Sequence, residues 1–141
     1  TYNARSETAA EKPSYRTAWR QRQFGLVLLD DFYEPSYESG KAVRWRIALA
    51  SGDPFGIACL WDRWTDPATG EWAVSFSMLT VNADEHPVMK QFHKPGDEKR
   101  TPVIIAPELH AAWLSADVAQ AIELMTWQHM PELVACSAPR A

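Results

Sequence analysis

Two ionisable side chains stand out because of where they fall in the sequence, and the first is a carboxyl. Glu34 follows the mostly apolar run Leu28-Leu29-Asp30-Asp31-Phe32-Tyr33. Partial burial at the end of a strand would raise the pKa of this carboxyl and let it carry protons near neutral pH. The alternative is a solvated glutamate or a member of a structural ion pair.

The second side chain is an imidazole. His93 lies in a stretch without apolar periodicity, 84–100, which predicts a long loop. Loops of this length inside compact domains tend to be functional. The neighbouring charges of Lys94, Lys99 and Arg100 would lower the pKa of His93 and keep it neutral near pH 7. The alternative is a solvent-exposed loop histidine.

Other kinds of chemistry find little support in the sequence. One further group of possible metal ligands consists of Asp84, His86, His93 and Asp97. Their spacing matches no ligand template. A glycine-rich phosphate loop and the glycine-flanked serine of hydrolases are both absent. We therefore expect neither a metal nor a cofactor.

The two cysteines are too few for a disulfide framework. Cys59 falls in the apolar run 55–61, so we expect a buried thiol that behaves as a small core residue.

Composition indicates one globular domain spanning 1–141. Of the 141 residues 46% are hydrophobic and 7 are tryptophan, enough for a core. The net charge of -4 argues against a protein that coats nucleic acid through bulk charge. Nearly all of the basic residues precede position 104, so a local basic groove is compatible with this charge. No stretch is apolar enough to cross a bilayer, and we expect a cytoplasmic protein.

The apolar pattern predicts strands first and helices mostly last. Predicted strands cover 25–34, 43–49, 55–61, 73–80 and 102–105. Pro35 should end the first strand because proline would break a ladder. Predicted helices cover 13–22, 107–114 and a segment with Ser115 as its N-cap. This order favours an α+β fold with an antiparallel or mixed sheet, or a partial barrel, and flanking helices.

Three segments in order resemble the SOS response-associated peptidase (SRAP) family. They are NARSET at 3–8, DFYE at 31–34 and HKPGDEKRTPVII at 93–105. The likeness runs from Asn3 to about Leu114 and more faintly to Leu133-Val134. The resemblance implies that Asn3 orients the nucleophile and the DNA adduct, and that Arg5 holds a phosphate. It makes Glu34 and His93 the active-site carboxylate and histidine. Thr80 and Arg100 match DNA-contact positions.

The resemblance also implies an activity. Members of this family attach covalently to abasic sites in single-stranded DNA, and they have peptidase and lyase-type activity. The attachment is a thiazolidine formed by a cysteine that becomes amino-terminal when the initiator methionine is removed. No residue here aligns with that cysteine, so we expect this chain to lack an amino-terminal segment of its domain. Thr1 is a conceivable substitute nucleophile.

The residues leave an alternative function open. Arg5, Arg16 and Arg100 could form a groove with aromatic side chains and bind single-stranded DNA without covalent chemistry. The sequence also departs from the family pattern at three positions: Asp31 replaces a glycine, Pro35 a tryptophan and Thr101 a methionine. The loss of that tryptophan removes a candidate for base stacking beside the site.

Overall fold

The computed structural model describes residues 3–140, which form two β-sheets with short helices packed against them. The strands are β1 (Asn3–Arg5), β2 (Phe24–Leu29), β3 (Phe32–Ser36), β4 (Val43–Leu49), β5 (Phe55–Thr65), β6 (Trp72–Asn82), β7 (Arg100–Pro102), β8 (Ile104–Ile105) and β9 (Leu133–Ser137). The α-helices are α1 (Arg16–Arg20), α2 (His110–Leu114) and α3 (Val118–Leu124). Single 3-10 turns occupy Met89–Gln91, Pro107–Leu109 and Trp127–His129. The predicted α+β class is confirmed.

The larger sheet has six strands, in the order β1-β6-β5-β2 with β7 beside β6 and β8 beside β5. β1 runs parallel to β6, and the other pairs are antiparallel. The smaller sheet has three antiparallel strands in the order β3-β4-β9. Within the described residues the strands do not close into a barrel. No helix in 3–140 is long and apolar enough to cross a membrane.

Successive strand residues point to opposite sides of a sheet. The continuous apolar runs in the strands of the larger sheet therefore place apolar side chains on both of its faces. On one face Leu60 and Leu79 pack with Trp113 of α2. On the other face Phe55 and Ile57 pack with residues of β4 and β9, such as Ile47 and Leu133. The helices therefore cover one face, and the smaller sheet covers part of the other.

The predicted strand 25–34 is two strands in different sheets. β2 pairs with β5, whereas β3 pairs with β4. The chain breaks at two aspartates, and Asp31 Oδ2 accepts a hydrogen bond from Arg46 Nε of β4 at 2.8 Å. The predicted stop at Pro35 is also wrong. β3 is an edge strand, and the Pro35 carbonyl faces away from β4 to accept the backbone N–H of His93 at 2.9 Å.

Several other boundaries need correction. β4 occupies the predicted 43–49, while β5 and β6 extend past the predicted ends into a long hairpin. Segment 102–105 falls in two strands, β7 and β8, that pair with different neighbours. The predicted helix 13–22 shrinks to the five residues of α1, because its first residues form turns. The 84–100 loop contains one 3-10 turn, and the helix at 107–114 is a 3-10 turn followed by α2.

The N-cap of α3 is Asp117, not the predicted Ser115. Asp117 Oδ1 accepts the Gln120 N–H at 2.8 Å, and Gln120 Oε1 accepts the Asp117 N–H at 3.0 Å. These two bonds form a capping box. The Ser115 hydroxyl instead donates to the Ala111 carbonyl at the end of α2.

Asp117→Ala should therefore lower the free energy of unfolding by about 1 kcal/mol, as the loss of an N-cap typically does. Ser115→Ala should change it by less than about 0.5 kcal/mol because that residue does not cap α3. Urea unfolding measures both, and Asp117→Asn is the control that keeps an acceptor. An equal loss for the two alanine variants would mean that the cap is assigned to the wrong residue.

Candidate functional site

A cavity of about 300 Å³ lies between the larger sheet and β3. Its walls include four of the predicted site residues, Asn3, Glu34, Thr80 and Arg100. Asn3 stands opposite Met78 on β6, and Arg5 stands opposite Thr80. These residues share one face of the larger sheet because side chains alternate along a strand. Strand pairing thus brings together residues that are far apart in sequence.

Glu34 and His93 are in direct contact. Glu34 Oε2 lies 3.2 Å from His93 Nε2, and the two side chains are 17% and 33% exposed, respectively. His93 has a φ of 68°, a left-handed conformation that is uncommon for residues other than glycine. Its backbone N–H bond to the Pro35 carbonyl, one residue past Glu34, fixes it beside β3. The structure therefore brings the predicted carboxyl and imidazole together.

Burial shifts the pKa values of both groups towards the neutral form. It raises the pKa of Glu34 from its usual 4.5 to about 7. The pKa of His93 is lowered, mainly by burial and also by the charge of Lys99. An isolated ion pair would shift both values the other way, but loss of solvation is the larger effect here. Near pH 7 the carboxyl is therefore partly protonated, a state suited to proton transfer.

Arg5, Thr80 and Arg100, the residues predicted to contact DNA, are adjacent. Arg100 donates from Nη2 to Thr80 Oγ1 at 3.0 Å. Both arginines also meet carboxylates. Arg100 Nη1 lies 2.8 Å from Glu7 Oε2, and Arg5 Nη2 lies 3.0 Å from Glu98 Oε1. The residues predicted to contact phosphates thus lie together, and carboxylates of the chain itself pair with their guanidinium groups.

One predicted residue, Arg16, is not part of this site. Arg16 lies on α1, whose Trp19 packs with Leu60 and Leu79 on the opposite face of the larger sheet. Thr1, the conceivable substitute nucleophile, lies outside the described residues.

A metal site has no geometric basis in 3–140, where no three His, Cys, Asp or Glu residues come together. His86 is buried and serves a turn, because its Nδ1 accepts the N–H groups of Val88 and Met89, each at 3.0 Å. Cys59 is buried as predicted, and burial raises the pKa of its thiol to about 11. Such a thiol is a poor nucleophile at neutral pH.

A second cavity of about 530 Å³ lies beside β3 and also reaches Glu34. Tyr33, Pro35 and Arg44 line it. The Arg44 guanidinium carbon lies 4.5 Å from the centroid of the Tyr33 ring. Pro35 stands where the family pattern has a tryptophan, and the aromatic side chain of Tyr33 lines the same cavity.

Sequence reasoning missed an aromatic strip on the β5–β6 hairpin. Trp61 pairs with Phe76, and Arg63 lies 4.3 Å over the ring of Trp72. The three aromatic side chains are 39%, 52% and 57% exposed, respectively. Phe76 lies two residues from Met78, so the strip continues the sheet face of the candidate site. The alternation of these residues with smaller or polar ones was the signal that could have located it.

Comparison with known proteins identifies the chain's relatives. The family model for SOS response associated peptidase (SRAP) matches residues 1–138. A crystal structure of a protein from Bordetella bronchiseptica superimposes with a TM-score of 0.90 and 41% identity, covering 98% of this chain and 65% of that one. A second, from Bacteroides thetaiotaomicron, has a TM-score of 0.83 and 24% identity, with 98% and 58% covered, and shows the shared fold.

Similar proteins in Bacillus subtilis carry functional names. "Abasic site processing protein YobE" is 32% identical over 114 residues, which are 80% of this chain and 48% of that protein. "Abasic site processing protein YoaM" is 29% identical over 114 residues, 80% of this chain and 46% of that protein. The chain spans about half the length of these curated relatives.

Proposed function

We propose, because the chain belongs to the SOS response-associated peptidase family, that it supplies the proton-transfer pair and the phosphate contacts of a protein that crosslinks covalently to abasic sites in single-stranded DNA. The observation that carries this proposal is the 3.2 Å contact between Glu34 Oε2 and His93 Nε2. The names of the Bacillus relatives agree with abasic DNA as the target. We assign the cysteine nucleophile to a segment that precedes Asn3 in the domain.

The proposed reaction joins an aldehyde to an aminothiol with loss of one water. The neutral amine of the terminal cysteine attacks the aldehyde carbon of the ring-opened sugar, and a carbinolamine forms. Protonated Glu34 donates to the departing hydroxyl, which leaves as water and generates an iminium ion. The cysteine sulfur then attacks the same carbon and closes the ring. The thiol proton returns to Glu34, which restores its starting state.

Each residue of the site has a proposed part in this sequence. His93, in contact with the carboxyl, holds it in place and relays its proton. Asn3 lines the same cavity as Glu34 and orients the nucleophile and the adduct. Arg5, Thr80 and Arg100 hold backbone phosphates, which makes binding sensitive to salt. The same acid–base pair would assist removal of the initiator methionine, the peptidase activity that the family resemblance implies.

The direct test supplies the nucleophile. The chain is joined after the amino-terminal segment of the Bordetella relative, or expressed with its own, to give what we call the joined protein. Incubation with a uracil-excised single-stranded oligonucleotide should give a covalent adduct on a denaturing gel. An oligonucleotide without the lesion, and a joined protein with alanine for the terminal cysteine, should give none. If the joined protein folds and no adduct appears, the crosslinking proposal is wrong.

The aromatic strip favours a second candidate function, non-covalent binding of single-stranded DNA. Exposed rings beside a guanidinium provide stacking surfaces for bases of any sequence. Under this candidate the chain alone would bind lesion-free and abasic strands equally, with strong salt dependence. The joined protein would then form no adduct.

A further inference from the structure

The Glu98 carboxylate lies between the two arginines of the site. Its Oε1 lies 3.0 Å from Arg5 Nη2, and its Oε2 lies 2.9 Å from Arg100 Nη1. Asn82 Nδ2 donates to the same Oε2 at 3.0 Å. Two guanidinium groups and one amide therefore converge on a single anionic group.

This set of donors has the chemistry of a phosphate site. Arginine forks recognise the oxygens of phosphate and carboxylate in the same way, and an amide N–H adds a third donor. Hydrogen bonds from Asn82, Arg100 and Arg5 lower the pKa of Glu98 to about 2. The group is thus an anion at any physiological pH.

We propose that Glu98 is an internal competitor of DNA, whose carboxylate occupies the place of a backbone phosphate between Arg5 and Arg100 until the strand displaces it. The identity of the displacing anion as DNA rests on the proposed function. The presence of an anion site held by the chain's own carboxylate does not depend on that function.

The geometry permits this displacement. The Arg5 and Glu98 side chains are 53% and 36% exposed, so solvent screens their ion pair and an incoming anion can reach it, whereas the Arg100 side chain is 16% exposed. The chain beside Glu98 is fixed separately, because Asp84 Oδ1 accepts the Lys99 N–H at 2.8 Å. The Glu98 side chain can therefore turn away without unfolding the 84–100 loop.

Arg100 keeps its position when Glu98 leaves. Glu7 accepts from Arg100 Nη1 at 2.8 Å and from Nη2 at 3.1 Å, and Thr80 Oγ1 accepts from Nη2 at 3.0 Å. The charges of Arg5 and Arg100 are balanced by those of Glu7 and Glu98. Removal of the Glu98 carboxylate leaves Glu7 as the carboxylate that pairs with both guanidinium groups.

The test compares charge-matched variants of this chain by the fluorescence anisotropy of a lesion-free single-stranded oligonucleotide. Glu98→Gln should bind about fivefold to tenfold more tightly than the wild type at about 50 mM salt, because one repelling charge is gone. The advantage should shrink at about 300 mM salt, where charges are screened. Glu11→Gln removes an exposed glutamate that lies elsewhere and should leave the affinity within about twofold.

A second probe separates this proposal from the proposed function. Inorganic phosphate should raise the melting temperature of Glu98→Gln and of Glu98→Ala more than that of the wild type. If no variant binds DNA but phosphate has this effect, the anion site occupied by the Glu98 carboxylate stands, whereas its displacement by DNA and the DNA function both fail. If both Glu98 variants bind phosphate and DNA no more tightly than the wild type, Glu98 only positions the arginines and the proposal is overturned.

Discussion

Glu34→Gln should slow adduct formation by the joined protein at least about 100-fold, because general acid catalysis typically contributes 100-fold to 10,000-fold. The amide is close to the carboxyl in size but has no proton to donate to the departing hydroxyl. Single-turnover rates on abasic single-stranded oligonucleotide measure the effect. The affinity for a lesion-free strand should stay within about twofold, since Glu34 is not one of the proposed phosphate contacts.

The pH dependence of the rate of adduct formation should also show whether Glu34 is the acid. Burial raises the pKa of Glu34 to about 7. The wild-type rate of water loss should therefore fall as pH rises through this range, because the acid form disappears. This descending limb should be absent from the residual rate of Glu34→Gln. A variant that retained both the wild-type rate and the limb would exclude Glu34 as the acid.

Two substitutions of His93 separate its effect on the backbone from its part in proton transfer. Its φ of 68° is a conformation that asparagine tolerates better than most residues. His93→Asn should keep the fold but lose the proton relay, whereas His93→Ala should also strain the backbone. If both variants formed adduct at the wild-type rate, the contact with Glu34 would have no catalytic importance.

Substitution of Glu34 should also change the free energy of unfolding. Glu34→Gln should stabilise the fold at pH 8 by up to about 3 kcal/mol, which corresponds to the rise of the carboxyl pKa from 4.5 to about 7. The folded protein binds this proton more tightly than the unfolded chain does. The stabilising contribution of Glu34 is therefore complete below about pH 4.5 and is lost as pH rises through about 7. Glutamine stays neutral and avoids this loss.

Urea unfolding across pH 4 to 8 tests the linkage. The difference between Glu34→Gln and wild type should be near zero at pH 4 and should grow through pH 7. Glu11→Gln, which alters an exposed carboxylate, should show no such growth. A gap that is constant with pH would show that the ionisation of Glu34 does not oppose folding. Active-site residues often lower the stability of the folded protein, and the ionisation of Glu34 is expected to do so above about pH 7.

Much of the fold followed from local pattern, and the errors have identifiable causes. The alternation in 43–49 predicted β4 with its bounds. The run 25–34 was wrongly predicted as one strand because it is apolar along most of its length, although its two halves pair in different sheets. Pro35 was wrongly predicted to end its strand. Proline is tolerated in an edge strand, and the position of a strand within its sheet cannot be read from the local sequence. Ser115 and Asp117 are both good caps by type, and only geometry separates them.

Most residues that line the candidate site were named from the sequence, but the pairing of their charges was not. The apolar run before Glu34 and the long loop around His93 gave local reasons for perturbed pKa values. The pairing of Arg5 with Glu98, residues 93 positions apart, depends on how β1 and the loop meet. The family resemblance pointed to Arg5 and Arg100 as phosphate contacts, but no sequence pattern indicated that a carboxylate already lies between them.

Burial beside His93 gives Glu34 a pKa near neutrality, and the proposed acid catalysis depends on this shift. A pH titration of the side-chain carboxyl carbon of Glu34 by ¹³C NMR measures it directly, with Glu34→Gln to assign the resonance. We predict a transition at about 7, because burial raises the pKa of this carboxyl. A transition in the ordinary range near 4.5 would contradict the proposed role of Glu34 as an acid, because Glu34 would then be an ionised, solvated carboxylate at neutral pH.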